Sequence, residues 1–166
     1  MYSSMLLRRD PPATTEASDV LALLVERYPR NSRFRLRHIE ILMERGANAE
    51  ALVAAEAYLE ADCCDWTIGD RALARVWVAR AALATSAVDV AARALADIRK
   101  NGYDELPYWG KAWHGITTGR THLLRGRHAQ AQAAFTSVIT LAKDGYLHDE
   151  LTAVAEDALT PMVARK

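Results

Sequence analysis

Residues 124–139, LRGRHAQAQAAFTSVI, decide the fold, because two earlier stretches of the chain repeat their pattern. Residues 84–99 read ATSAVDVAARALADIR and residues 44–59 read ERGANAEALVAAEAYL, so the three stretches stand 40 residues apart. A period of this length is typical of stacked helical hairpins, in which each unit is a helix, a tight turn, a second helix and a loop. The same place in each second helix holds a small side chain that lets the first helix pack closely: Ala51, Ala91 and Ala131.

The turn of each unit falls on Gly46, Ser86 or Gly126. Glycine suits the left-handed conformation that ends a helix. Ser86 is instead expected to cap the following helix, with Asp89 three residues on in place of a capping-box glutamate. The other expected helix starts carry a capping residue or a proline in the first turn: Asn31 or Ser32, Asn48, Asp70 and Pro107.

The repeat predicts an all-α fold, a right-handed α-solenoid of about three helix-turn-helix units with a flanking helix at each end. We expect a flexible N-terminus over residues 1–13 and a single domain over residues 14–166. The units are expected at about 31–69, 71–106 and 107–145, followed by a closing helix over 147–160 that stops near Pro161.

The composition restricts the classes of partner. The chain has 166 residues, and its 21 lysines and arginines balance its 21 aspartates and glutamates, so it has no bulk attraction to nucleic acid. Its apolar runs are too short to span a membrane, and no secretory signal is evident. The two cysteines, Cys63 and Cys64, are adjacent in sequence and therefore poorly placed to form a disulfide with each other, and the chain has no other cysteine. The absence of an evident disulfide favours a reducing, cytoplasmic location.

One basic run invites a nucleic-acid interpretation. Residues 27–38, RYPRNSRFRLRH, hold five arginines and two aromatic side chains. Because the chain is neutral overall, we favour a solvated helix end whose arginines pair with nearby carboxylates, above all Arg37 with Glu40 at helical spacing. Nucleic-acid binding is the weaker alternative.

The third unit carries a family resemblance. Gly119, Ala131 and Phe135, with Gly126 at the turn, stand at the spacing of a tetratricopeptide repeat, and residues 112–145 resemble one. The resemblance extends over most of residues 15–145, and the N-terminal helix fits at the family's own interval of about 34, with Pro29 as its terminal proline. The chain departs from the family at the first-helix tryptophan position, which holds other residues: Arg35, Arg75 and Gly115.

The resemblance implies that the first helices line a concave groove that grips a peptide. Mapped onto this chain, the groove takes in residues from all three units: Arg33, Leu36, Arg37, Glu40, Val76, Trp77, Arg80, Trp113, Ile116, Arg120 and Leu123. The same mapping places four further residues beside this set: Met43, Leu73, Leu83 and Thr117. Tryptophan and arginine often dominate binding energy, and the row of arginines predicts an acidic-apolar partner segment. The alternative is that Trp77 and Trp113 are buried between helices.

No catalytic or metal-binding constellation is evident. His114 and His122 are eight residues apart, whereas metal-binding helices usually place ligands three or four apart. Asp149 and Glu150 are adjacent at a helix start, where negative charge favours the helix dipole and neighbouring side chains do not face each other. We therefore expect no enzyme activity, no cofactor and no metal.

The resulting functional prediction is a non-enzymatic protein–protein interaction module that acts as an adaptor, scaffold or regulatory domain. Two alternatives stay open at this point: a cytoplasmic chaperone of secreted proteins, suggested by chain length and repeat number, and a helical ligand-sensing domain, which needs a closed pocket. We also expect that this chain can form a homodimer through its terminal helices, because the uncapped ends of repeat proteins can self-associate.

Overall fold

The computed structural model of the chain describes residues 11–61, 65–143 and 149–163. All regular structure within those ranges is helical, as predicted. The helices are α1 Pro11–Arg27, α2 Ser32–Glu44, α3 Asn48–Glu60, α4 Ile68–Ala84, α5 Val88–Asn101, α6 Tyr108–Leu124, α7 His128–Lys143 and α8 Asp149–Val163. None of these helices is both long and apolar enough to cross a bilayer.

The helices stack in two layers. α2, α4, α6 and α8 each contact the next member of their row, whereas the described parts of α3, α5 and α7 do not contact one another. The first row is therefore the inner, concave side of the stack and the second row is the outer side. α1 packs on α2 at one end, and α8 packs on α6 and α7 at the other. The predicted α-solenoid is confirmed.

The three predicted turns share one geometry. Gly46, Ser86 and Gly126 all have positive φ, at 74°, 64° and 69°. In each turn the left-handed residue donates its N–H to the carbonyl three residues back, and the next residue donates to the carbonyl five residues back. This pair of bonds is the Schellman motif. Ser86 thus ends α4, and the prediction that it caps α5 is wrong.

Replacing Ser86 with glycine should raise the free energy of unfolding by about 0.5–1 kcal/mol, because an L side chain is strained in the left-handed region. Urea denaturation measures the change. The matched control is Gly126→Ala: a Cβ there meets nothing within 4 Å, so its expected loss of about 1 kcal/mol is a backbone effect alone. A loss of stability in Ser86→Gly would contradict the assigned turn geometry.

Two more predicted helix starts differ from the structure. α3 begins at Asn48 itself, with Ala47 as its cap residue, since the Schellman turn leads directly into the next helix. α4 is capped by Thr67, whose hydroxyl accepts from the Asp70 N–H while the Asp70 carboxylate accepts from the Thr67 N–H, a complete capping box. The Asn31 cap is confirmed, since its side chain accepts the amide hydrogen bonds of Arg33 and Phe34.

The chain ends also differ from the prediction where they are described. α1 starts at Pro11, because proline is well tolerated in a first helical turn. α8 runs from Asp149 through Pro161 to Val163, three residues beyond its expected end, and such end positions are weakly set by sequence. Residues 1–10 of the expected flexible stretch, and the Cys63–Cys64 pair, lie outside the described residues.

The core runs continuously between the two layers. The periodic alanines Ala51, Ala91 and Ala131 are fully buried, as the repeat predicts. Three apolar clusters follow one another along the stack, and partly buried side chains such as Leu73 and Trp113 each belong to two of them. Each unit therefore shares its core with its neighbours, and each inner helix is fixed in place by the helices beside it.

Candidate functional site

The inner row presents most of the predicted groove residues, but not all of them. Val76 and Ile116 are completely buried, and Trp77 is only 4% exposed. These three side chains pack in the core between the layers, so their assignment to a partner-binding surface is wrong. For Trp77 the buried alternative holds. The other eight residues keep part or all of their surface accessible.

The N-terminal part of this surface is internally neutralised. Arg37 forms an ion pair with Glu40, as predicted, and lies 3.7 Å from the Glu44 carboxylate. Arg33 is exposed in the first turn of α2. Leu36 contributes a half-buried apolar side chain to the adjoining core cluster. This end of the inner row therefore offers little uncompensated charge.

The arginines of the basic run, residues 27–38, lie in different environments. Arg30, in the connection between α1 and α2, pairs with Asp65, in the connection between α3 and α4, in an exposed contact of 3.0 Å. Arg35 is buried and its guanidinium lies 4.8 Å from the ring centre of Tyr58. The predicted pairing of Arg37 with Glu40 is thus confirmed, while the Arg30–Asp65 pair and the burial of Arg35 were missed.

The C-terminal part of the inner row forms a depression of about 370 Å³, which we call the inner groove. It brings together the C-terminal parts of α2 and α4 with most of the length of α6. Four of its lining residues belong to the predicted set: Arg80, Trp113, Arg120 and Leu123. The remaining walls are Met43, Leu83, Ala84, Thr117 and Leu124. Ala84 and Leu124 were missed. The 40-residue interval could have identified them, because it relates them to each other just as it relates Leu83 to Leu123.

Arg80 is held at the centre of the inner groove by aromatic rings. Its guanidinium carbon lies 3.5 Å from the ring centre of Trp113 and 4.4 Å from that of Trp77. A planar guanidinium stacks well on an indole face, and the stack leaves the edge donors free to form hydrogen bonds. The buried Trp77 thus acts at the site indirectly, by orienting Arg80.

The charge of the inner groove is only partly balanced. The pKa of Arg80 is lowered to about 10, first by burial and then by repulsion from Arg120, with a smaller opposing effect from Glu40 and Glu44. Arg80 therefore remains protonated at neutral pH. Within the described ranges, neither Arg80 nor Arg120 forms an ion pair. Burial also raises the pKa of the Glu44 carboxyl.

The predicted dimer surface at the N-terminal helix is apolar in part. On α1, Val20 is 54% exposed and Leu23 is 64% exposed. The opposite face of α1 packs on α2. Self-association through this helix stays a prediction.

Comparison of the chain with protein-family models, with curated proteins and with solved structures finds no match. The fold is accordingly assigned from the packing of the helices. What the site does has to be argued from its own side chains.

Proposed function

We propose that this protein is a non-enzymatic interaction module that binds a segment of another protein in the inner groove. The observation that carries the proposal is Arg80, stacked on two indoles at the bottom of an apolar depression and without an ion-pair partner among the described residues. An arginine fixed in this way is preorganised for a carboxylate, so little side-chain entropy is lost when it binds. The adaptor, scaffold or regulatory role and the cytoplasmic location are part of this proposal.

The chemistry of the inner groove favours an acidic-apolar segment. Arg80 and Arg120 can donate to aspartate or glutamate side chains, and two donors close together favour a bidentate or paired contact. Met43, Leu83 and Leu123 form apolar walls suited to an aliphatic or aromatic side chain of the partner. The volume of about 370 Å³ accommodates a few side chains of an extended or helical segment, not a folded domain.

The tetratricopeptide resemblance supports the same surface. In that family the first helices line the surface that grips a peptide, and α2, α4 and α6 are the first helices of the three units in this chain. The inner groove lies on this row, formed by the C-terminal parts of α2 and α4 and by α6 from Trp113 to its end.

Selection of peptides from a random displayed library tests the proposal. We expect the enriched peptides to combine aspartate or glutamate with leucine, isoleucine or aromatic residues. Their affinity should fall at least tenfold for the variant Arg80→Glu, Arg120→Glu, because charge reversal removes the donors and adds repulsion. Circular dichroism checks that the variant is folded.

The matched control is Arg27→Glu, Arg93→Glu, which changes the charge equally at two exposed arginines outside the inner groove. Binding should be unchanged in this control. Enrichment of basic or uncharged peptides, or equal binding by both double variants, would overturn the proposal.

A further inference from the structure

A second depression lies between α5 of the outer row and α6 of the inner row, and we call it the outer cleft. Its volume is about 380 Å³, near the lower end of the range for small-molecule sites. Three of the residues that line it are apolar and come from α5, and we call them the floor: Ala92, Leu95 and Ala96. The others are basic or polar: Arg99, Lys100, His114, Thr118, Thr121, His122 and Arg125. None of these described lining residues is acidic.

The positive charge of the outer cleft is largely uncompensated. Arg99 and Lys100 form no ion pair with any described carboxylate. They lie in the last turn of α5, where the helix dipole favours cations but supplies no counter-ion. Arg125 is paired with Asp89, at the margin of the cleft.

The pKa values of the two histidines in the outer cleft are lowered, in part by the same positive charge. Burial lowers the pKa of His122, and Arg127, Arg125 and Arg99 lower it further by repulsion. Burial also lowers the pKa of His114, against a weaker opposing hydrogen bond to the Leu95 carbonyl. Both imidazoles are therefore neutral at pH 7. His114 donates its one N–H to the Leu95 carbonyl, whereas His122 can still donate one N–H.

Two polar atoms in the walls have unmet hydrogen-bonding capacity. The Thr118 hydroxyl and His122 Nδ1 are buried and have no hydrogen-bond partner among the described residues. A buried polar group without a partner is destabilising. A ligand group that accepts or donates a hydrogen bond at these side chains would remove that cost. Both residues belong to the wall that faces Arg99 across the cleft.

We propose that the outer cleft binds a small phosphomonoester, with its phosphate among Arg99, Lys100 and His122 and its carbon part on the floor of Ala92, Leu95 and Ala96. Phosphate offers several acceptor oxygens and nearly two negative charges, which match a cluster of cationic and neutral donors without a carboxylate. The cleft is larger than a bare phosphate group requires, and its floor is apolar, so the ligand carries a small apolar moiety. This site uses none of the residues that line the inner groove and does not depend on partner binding there.

Titration calorimetry with phenyl phosphate as the probe tests the proposal on the full chain. We expect phenyl phosphate to bind with a Kd of about 1 mM or lower. The affinity should fall at least tenfold in the variant Arg99→Gln, Lys100→Gln. Arg93→Gln is the matched control, since Arg93 is exposed on the same helix but does not line the cleft, and it should bind as the wild type does. Nuclear magnetic resonance should record shifts of the His114 and His122 imidazole signals on binding.

Any one of the following results would overturn the proposal. Absence of phenyl phosphate binding refutes it outright, as does an equal loss of affinity in Arg93→Gln. Equal affinity for inorganic phosphate and phenyl phosphate would show that the carbon part is not held by the floor. Binding of a phosphoserine peptide in the absence of phenyl phosphate binding would assign the cleft to a modified protein instead.

Discussion

Phe135→Ala should lower the free energy of unfolding by about 3–5 kcal/mol, the usual loss when a buried aromatic ring is truncated. Phe135 is fully buried in the cluster that joins α6, α7 and α8. Its ring fills the space left by Gly119 of α6, where an added Cβ would lie 2.6 Å from the ring atoms. The two helices approach so closely there that α6 cannot easily collapse into the vacated volume.

Urea denaturation followed by circular dichroism measures this change. Hydrogen exchange should show that the backbone amides of α6, α7 and α8 lose protection first, because each unit of a solenoid depends on its immediate neighbours. Thr136→Ala, at the adjacent exposed position of α7, is the control and should change stability by less than about 0.5 kcal/mol. A loss below about 1 kcal/mol for Phe135→Ala would contradict the assigned packing of α6 on α7.

Trp77→Ala should cost a similar amount, about 3–5 kcal/mol. Trp77 is buried among residues of α2, α3 and α4, including Ile39 and Leu42, so it links the first two units. Its removal also takes away one of the two rings on which Arg80 stacks. We therefore expect this variant to bind its acidic peptides more weakly even under conditions in which it stays folded.

Trp109→Ala is the matched control for this substitution. The Trp109 ring centre lies 6.4 Å from that of Trp77, but Trp109 is 38% exposed. Denaturation should give a loss of less than about 1 kcal/mol for Trp109→Ala. Comparable losses for both tryptophans would refute the placement of Trp77 in the core.

The repeat could be predicted from the sequence because its signals are local and recur. Gly46 and Gly126 mark positions that need a left-handed backbone, and the periodic alanines mark positions where helices pack closely. Ser86 shows the limit of such local signals. Serine suits both a helix cap and an exposed turn, and only the course of the backbone shows that Ser86 takes the place of the two glycines.

The site could be predicted only in part. The mapping implied by the tetratricopeptide resemblance identified the inner faces of α4 and α6, and hence Arg80, Trp113 and Arg120. It could not separate these residues from Val76 and Ile116, which lie close to them on the same helices. Which of them stays accessible depends on how the outer layer and the neighbouring units cover each face.

The outer cleft illustrates the same limit more strongly. Arg99 at the end of α5 and His122 near the end of α6 are separated in sequence by a loop and most of a helix. No periodic pattern connects them. Their proximity arises when α6 packs against α5, and so does the exclusion of carboxylates from the space between them.

By itself the sequence determined the helical class, the position of the three hairpin turns and the buried alanine positions, because these depend on backbone conformation and side-chain size within one unit. Only the tertiary structure decided which tryptophan is core, which arginines lack a counter-charge and where the two depressions lie. The physical reason is that burial and electrostatic balance are properties of surfaces contributed by several units, and each unit covers or exposes the side chains of the next.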